Sequence, residues 1–171
     1  DARVNLYVMP PSPLTGNLPT LFSIVGNDQL NSETLVAYEI GYRTRLAERL
    51  SMDATAFYND YDQIISTVAG TPFLETRIIP PYVVAPLQLQ NSASGYNTGF
   101  ELAADWRPAQ DWRLQFAYSY LYQDIIGSNG PTFSSGNLNQ VSLLSSWTLP
   151  NQLELDAWGR YVNFDGEIRT L

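Results

Sequence analysis

The chain has 171 residues, of which 44% are hydrophobic and 15% are charged, whereas soluble domains carry about 25% charged residues. Its net charge of −8 argues against nucleic-acid binding, which requires a basic face. Cysteine and histidine are both absent, which excludes disulfides and removes the commonest catalytic base and metal ligand. We therefore expect no enzyme, no metal site and no cofactor.

The apolar residues are spread out, and the chain contains no run long enough for a transmembrane helix. Eleven tyrosines and four tryptophans suit the aromatic girdles of an outer-membrane barrel. On composition alone, a tyrosine-rich soluble β-sandwich is an open alternative. The chain begins at Asp1 without a signal peptide and stops at Leu171, so we interpret it as a fragment of a longer protein.

Residues 1–33 are predicted to form a loop region, because four prolines and two glycines interrupt them. Within this region, Ala2–Met9 and Leu21–Val25 are possible short strands. From residue 34 onward the pattern changes, and apolar and polar residues begin to alternate. The loop region is therefore predicted to end where the sheet begins.

Alternation of apolar and polar residues predicts six strands in an all-β, antiparallel meander. The clearest is Trp112–Tyr122, in which every second residue is apolar or aromatic and most of the others are polar. Its length suits a tilted transmembrane strand of about 9–11 residues. The six strands are predicted at 34–46, 49–65, 93–107, 111–124, 138–149 and 152–163.

Connections between these strands alternate between short and long. Short turns are predicted near residues 47, 109 and 150, and long loops near residues 78 and 130. Four prolines within Ile65–Leu89 exclude a central strand through most of that segment, and Asp124–Leu138 is rich in Gly, Ser and Asn. Outer-membrane barrels have short periplasmic turns and longer extracellular loops, so the first strand would run toward the periplasm.

The apolar face is predicted to contact lipid between two aromatic rows. Asp60 and Asp62 continue the apolar parity of their strand, so the hydrocarbon should end near Tyr58. A calcium site there is disfavoured, because alternate residues point to opposite faces. The tryptophans of the short-turn row are Trp106, Trp112 and Trp147, and the tyrosines of the long-loop row are Tyr58, Tyr118, Tyr120 and Tyr122.

The other face is predicted to line a wet lumen with charges of both signs. Its charged residues are Glu39, Arg43, Asp53, Glu101, Asp105, Arg113, Glu154, Asp156 and Arg160. A hairpin register with Trp106 opposite Trp112 would place Asp105 opposite Arg113, which is modestly favourable. Glu101 and Asp105 would lie about 13 Å apart along one strand, which is too far for the carboxyl pair of a glycosidase.

Four motifs together resemble TonB-dependent outer-membrane receptors, in the C-terminal part of the barrel wall. They are SETLVAYEIGYR (Ser32–Arg43), SMDATAFYNDYDQI (Ser51–Ile64), NTGFELAADWRP (Asn97–Pro108) and WRLQFAYSYL (Trp112–Leu121). The resemblance covers most of the chain from about Ser32 to Val162. It implies a 22-stranded barrel around a plug domain, which is absent here.

Membership of that family would imply active uptake, with energy supplied by the TonB complex through the missing N-terminal part. Typical cargoes are ferric siderophores, haem, cobalamin, nickel complexes or oligosaccharides. The implied location is the outer membrane of a Gram-negative bacterium, with outer-membrane lipid as a partner. Residues 1–33 would then be an extracellular loop region and residues 34–163 the barrel strands. The alternatives are another outer-membrane barrel, such as a porin, or a soluble secreted β-sandwich that binds a ligand.

Contacts with cargo are expected in the loops Ser66–Gln88 and Asp124–Leu138. Phe73, Tyr82 and Phe133 are the candidate ligand-binding residues there, and the alternative is that they only pack the loops. No individual ligand residue carries over from the family, because its ligand contacts lie on variable loops and on the plug.

The assignment of faces predicts a difference between two neighbouring positions. In the intact protein, Phe116→Arg should impair barrel assembly far more than Gln115→Arg, because an arginine on the lipid face costs about 2–4 kcal/mol at the midplane. An outer-membrane insertion assay measures both. Equal tolerance of the two arginines would contradict the assignment.

Overall fold

The chain forms one β-sheet in the computed structural model, which describes residues 3–127 and 134–168. In chain order the strands are β1 (Arg3–Met9), β2 (Thr20–Val25), β3 (Thr34–Ala47), β4 (Leu50–Ala69), β5 (Phe73–Glu75), β6 (Tyr82–Ala109), β7 (Trp112–Gly127), β8 (Ser134–Leu149) and β9 (Leu153–Ile168). Two single-turn 3-10 helices, at Pro13–Thr15 and Pro150–Gln152, complete the described elements. None of the described helices has the length and apolarity to cross a membrane.

The six long strands pair as consecutive antiparallel hairpins in the order β3, β4, β6, β7, β8, β9. This confirms the predicted meander. The sheet is open, since β3 pairs only with β4 and β9 pairs only with β8 among the described residues. Six strands are too few to close a barrel of this type around a lumen, so the sheet is a segment of a wall.

The three turns at one end of the sheet are as short as predicted. Ala47 pairs with Leu50 across the first turn, and Ala109 pairs with Trp112 across the second. The third is the 3-10 turn between β8 and β9, where Asn151 has a φ of 66°. Asparagine tolerates this left-handed conformation better than most residues, so the turn can be tight.

The predicted long loop at Ile65–Leu89 is largely wrong, because β4 continues to Ala69 and β6 already begins at Tyr82. Pro86 lies within β6, where the sequence excluded a strand. Its carbonyl accepts from the Gly70 N–H at 2.8 Å, just after β4 ends and before β5 begins. The N–H that proline lacks would also point toward Gly70, just beyond the last residue of β4, so the proline removes at most one hydrogen bond at the end of this ladder.

The second predicted loop, Asp124–Leu138, is also shorter than expected, since β7 runs to Gly127 and β8 starts at Ser134. Ser135 pairs with Asp124, and Gly136 pairs with Gln123. The start of β8 is polar or glycine on both faces, and β7 ends on two adjacent isoleucines, Ile125 and Ile126. Neither end alternates between apolar and polar residues, so the sequence does not reveal these ends as strand.

The predicted register, with Trp106 opposite Trp112, is wrong by two residues, which leaves every side chain on its predicted face. Trp106 lies opposite Leu114, and Asp105 lies opposite Gln115. An irregularity between Trp106 and Ala109 causes the shift, and it contains Pro108. Asp105 nevertheless binds Arg113 diagonally, because the Arg113 Nε donates to Asp105 Oδ2 at 2.7 Å.

The predicted short strands in residues 1–33 are observed as β1 and β2, although Ala2 lies outside the described residues. They form an antiparallel hairpin, and β2 then pairs in parallel with Val83–Gln88 of β6. This parallel contact was not predicted. Val84 is fully buried at this contact, and the other buried hydrophobic residue in the described part of the chain, Ala93, lies farther along β6 between Ile64 of β4 and Gly127 of β7.

Two strand glycines provide a matched test of the sheet. A Cβ added at Gly99 would lie 2.2 Å from the Tyr120 carbonyl oxygen and 2.7 Å from the Phe57 ring, whereas Gly159 has no atom within 4 Å. We expect Gly99→Ala to destabilise the intact protein by about 1–3 kcal/mol, and Gly159→Ala to be nearly neutral. Urea unfolding in lipid vesicles measures both; equal effects would refute the close packing at Gly99.

Candidate functional site

One face of the sheet presents large apolar side chains that no second layer covers. On β3, Tyr38, Ile40 and Tyr42 are all more than 60% exposed. Phe100 on β6 and Leu143 on β8 are each nearly half exposed. A soluble sandwich would enclose such rings between two sheets. Among the described residues there is one sheet only, so this face is suited to lipid.

Four tyrosines form a continuous row across this apolar face, one each on β3, β4, β6 and β7. The ring centroids are 6.4 Å apart for Tyr38 and Tyr58, 5.6 Å for Tyr58 and Tyr96, and 6.0 Å for Tyr96 and Tyr122. On β4, Asp60 follows Tyr58 on the same face and lies directly opposite Tyr96, so it is level with that ring. Aromatic rings and the first carboxylate of this face therefore meet at the boundary predicted near Tyr58.

Two tryptophans mark the opposite edge of the apolar band. Trp112 and Trp147 stack at 6.2 Å with an interplanar angle of 11°, and the Trp112 indole N–H donates to the Ser145 hydroxyl at 2.9 Å. Tyr122 lies ten residues beyond Trp112 on β7. At about 3.4 Å per residue and a tilt of about 40°, this span covers roughly 26 Å, close to the apolar band of an outer-membrane barrel.

The opposite face carries ion pairs between neighbouring strands. Arg43 on β3 donates from Nε to Asp53 Oδ2 on β4 at 2.7 Å, and Asp105 accepts from Arg113 on β7. The Arg107 Nε lies 3.8 Å from the other oxygen of Asp105. The Arg43 side chain is 84% exposed, so water screens these pairs and each adds little stability.

These ion pairs border a concavity of about 350 Å³ that spans the polar face from Arg43 on β3 to Trp158 on β9. Trp158 is a large apolar exception on this mostly polar face, and the residue is 66% exposed. The concavity holds charges of both signs, from Arg43, Asp53 and Asp105. The face is thus a charged, water-accessible surface of the kind that lines a barrel lumen.

The three candidate ligand residues have different outcomes. Phe73 lies on β5 opposite Val84, and the Arg3 guanidinium lies 5.6 Å from its ring centroid. Tyr82 lines an apolar pocket at the long-loop end of the sheet. Phe133 lies outside the described residues. The structure thus brings Phe73 and Tyr82 to the same end of β6, while their role in binding cargo stays a prediction.

The sequence missed the other residues of that pocket. Its walls are Val8, Pro19, Leu21, Ile78, Pro80 and Tyr82, and its volume is about 280 Å³. These residues come from three separate parts of the chain. The parallel pairing of β2 with β6 brings them together, and no local pattern in the sequence announces such a pairing.

Comparison with known proteins agrees with this two-faced wall. The family described as TonB dependent receptor-like, beta-barrel, matches residues 5–169. The chain belongs to this family. The match extends over both the β1–β2 hairpin and the six-stranded wall, so this TonB-dependent receptor barrel segment includes the loop end. No solved structure matches the chain significantly.

Two curated relatives are more distant. The LPS-assembly protein LptD of Shewanella frigidimarina (strain NCIMB 400) is 27% identical over 127 residues, which cover 74% of this chain and 16% of that protein. The LptD of Shewanella denitrificans (strain OS217) is 28% identical over 94 residues, which cover 55% of this chain and 12% of that protein. The chain therefore spans less than a fifth of either relative. Family and relatives together place it in the outer membrane of a Gram-negative bacterium.

The ion pair of Asp105 and Arg113 tests whether the polar face is wet. In the intact protein, we expect Asp105→Asn and Arg113→Gln each to lower the free energy of unfolding by less than about 1 kcal/mol, with a coupling of about 0.5 kcal/mol that salt weakens. A double-mutant cycle by urea unfolding measures this coupling. A salt-independent coupling above about 3 kcal/mol would mean that the pair is shielded from water.

Proposed function

We propose that this segment is part of an active-transport receptor that takes up a scarce ligand with energy supplied by TonB. The observation that supports this most directly is the match to the receptor barrel family over residues 5–169. The sheet agrees with it, since an apolar band between two aromatic rows backs a charged, concave face. The cargo classes implied by the family are siderophore-bound iron, haem, cobalamin, nickel complexes and oligosaccharides.

In this proposal the six long strands have a passive role, and catalysis has none. Residues 34–163 form the wall, which separates lipid from the lumen. Residues 1–33 belong to the outer loop region, and the short turns near residues 47, 109 and 150 face the periplasm. A plug domain and the contact with the TonB complex would come from other parts of the protein. Transport would couple capture of cargo by the loops to movement of that plug.

LPS assembly is a second candidate function, and the two LptD relatives favour it. Both matches cover a small share of those proteins, so they report similarity of barrel wall more than similarity of a whole protein. The receptor family matches nearly the whole chain. For this reason we place uptake first.

Uptake can be tested without knowing the cargo. Three strains are grown in the same rich medium: one with the intact gene, one with the gene deleted and one that lacks TonB. Mass spectrometry then follows which solutes each strain removes. We expect at least one solute to be removed only when both the gene and TonB are present, and its removal to stop when the proton motive force is dissipated.

The other functions predict different results. A porin would remove solutes without TonB and without the proton motive force. A protein of LPS assembly would leave solute removal unchanged and lower the amount of LPS at the cell surface when its gene is depleted. Either pattern would overturn the proposed uptake.

A further inference from the structure

An apolar strip crosses the polar face of the wall from β4 to β9. Its five residues lie directly opposite one another in register, and they are Phe57, Gly99, Leu121, Leu138 and Phe164. We call them the lumenal strip. The Phe57 ring covers the glycine, because a Cβ added at Gly99 would lie 2.7 Å from that ring. At the other end, Phe164 is 60% exposed, and Val162 on the same face is 46% exposed. Uncovered apolar surface is unfavourable in water, so the strip is suited to an apolar partner.

The lumenal strip lies toward the long-loop end of the polar face. Phe57 directly precedes Tyr58 of the tyrosine row, and Leu121 directly precedes Tyr122. Successive residues of a strand point to opposite faces, so the strip is level with one boundary of the apolar band but faces away from lipid. A solute that enters from the long-loop end would reach the strip before it reached the ion pairs of the polar face, which lie nearer the short turns.

Two carboxylates border the β4 end of the strip. Glu39 of β3 lies directly opposite Phe57, and Glu101 follows Gly99 by two residues on the same face of β6. Both residues are exposed. Neither side chain has an ion-pair or hydrogen-bond partner among residues 3–127 and 134–168. This end of the strip is therefore negative and open to a cation.

An arginine borders the β9 end of the strip. Arg160 lies two residues before Val162 on the same face, and its Nη2 donates to the Gln140 side-chain oxygen at 2.7 Å. This bond directs the guanidinium toward β8, where Gln140 follows Leu138 of the strip by two residues. The glutamine is neutral, and Arg160 forms no ion pair within the described part of the chain. Arg43, which lies toward the negative end, is already paired with Asp53, so the strip is negative at one end and positive at the other.

The distance between these charges sets the length of a ligand. Glu101, Ser119, Gln140 and Val162 lie opposite one another on β6 to β9. Three strand spacings of about 4.8 Å and two residues along β9 put the Cα atoms of Glu101 and Arg160 about 16 Å apart. An extended chain of about five residues spans this distance. Every second side chain of such a chain points the same way, so three of the five would face the strip.

We propose that the lumenal strip is a cargo subsite for a short apolar peptide with free ends, about five residues long. The apolar side chains of the peptide pack on the strip, its amino terminus lies near Glu101, and its carboxylate lies near Arg160. Its backbone groups can bind Ser119 and Gln123, which flank Leu121 and whose side chains have no other partner among the described residues. The proposal rests on the proposed uptake function, and it adds peptides to the cargo classes that the family implies.

The test uses the intact protein in lipid nanodiscs and the pentapeptide Leu-Ser-Leu-Ser-Leu with free ends. Isothermal titration calorimetry measures its dissociation constant, with empty nanodiscs as the blank. Acetylation of the amino terminus removes one charge of the peptide, and amidation of the carboxylate removes the other. We expect each change to weaken binding about fivefold, and replacement of the three leucines by serine to weaken it at least about tenfold.

Two variants assign each charge of the peptide to one end of the strip. In Glu101→Gln, acetylation should lose most of its effect while amidation keeps its own, and Arg160→Gln should show the reverse. Glu154→Gln and Arg45→Gln are the matched controls, since both residues lie on the same face close to the short turns. We expect both controls to keep both effects.

A further pair of variants tests the apolar contact. Leu138→Ala shortens a side chain of the strip, and Leu144→Ala is its matched control six residues along the same face of β8. Both leucines are half-buried, so the two changes should cost similar stability. We expect Leu138→Ala to weaken binding of the pentapeptide about fivefold and Leu144→Ala to leave it unchanged.

Three results would overturn the subsite: no binding of the free pentapeptide, equal affinity for the free and the blocked peptides, or equal effects of the two alanine variants. The first of these is also expected if another part of the protein already covers the strip. TonB-dependent solute removal without peptide binding would refute the subsite alone, whereas peptide binding without such removal would refute the transport function alone.

Discussion

Backbone hydrogen bonding in a single layer is the constraint on which the rest of this structure depends. A strand inside hydrocarbon must pair on both edges, because lipid offers no donor or acceptor. The ladders from β3 to β9 satisfy this requirement for every interior strand of the wall, and β3 and β9 each have one edge that a neighbouring wall strand would complete. Because pairing is edge to edge, both faces stay free to meet different solvents.

The two different solvents explain why apolar and polar residues alternate along each wall strand. On β7, Phe116 and its even-numbered neighbours face lipid, while Arg113 and its odd-numbered neighbours face water and bind charges on the next strand. The aromatic rows limit the band, since the amphipathic rings of tyrosine and tryptophan suit the boundary between hydrocarbon and water. Ser145 shows how a polar group is tolerated on the lipid face, because Trp112 both hydrogen-bonds it and helps to bury it.

The wall could be predicted from sequence because period-two alternation is a local signal. Strand ends beyond the apolar band lack this signal, so the sequence predicts loop where β7 ends and β8 begins. Pro86 is a different case. A proline is excluded from a strand only where its N–H is needed for pairing, and the sequence does not show that Pro86 lies opposite the residues between β4 and β5. The position of Trp106 depended on one irregularity near Pro108. The pocket depended on a parallel contact between segments about 60 residues apart.

The strand β6 is part of both the wall and the loop end of the sheet. Two adjacent register shifts between β4 and β6 separate these two parts. The register shifts between Tyr61 and Ile65 put one extra residue in β4 and one in β6, and Gln63 takes a φ of 56° there. An extra residue inverts the alternation beyond it. On β6, even-numbered residues from Tyr96 toward the C-terminal end face lipid. Tyr82 and Val84 are also even-numbered, but they lie on the N-terminal side of the shift and so need not face lipid. A continuous strand of 28 residues thereby presents apolar side chains to lipid at one end and to a pocket in water at the other.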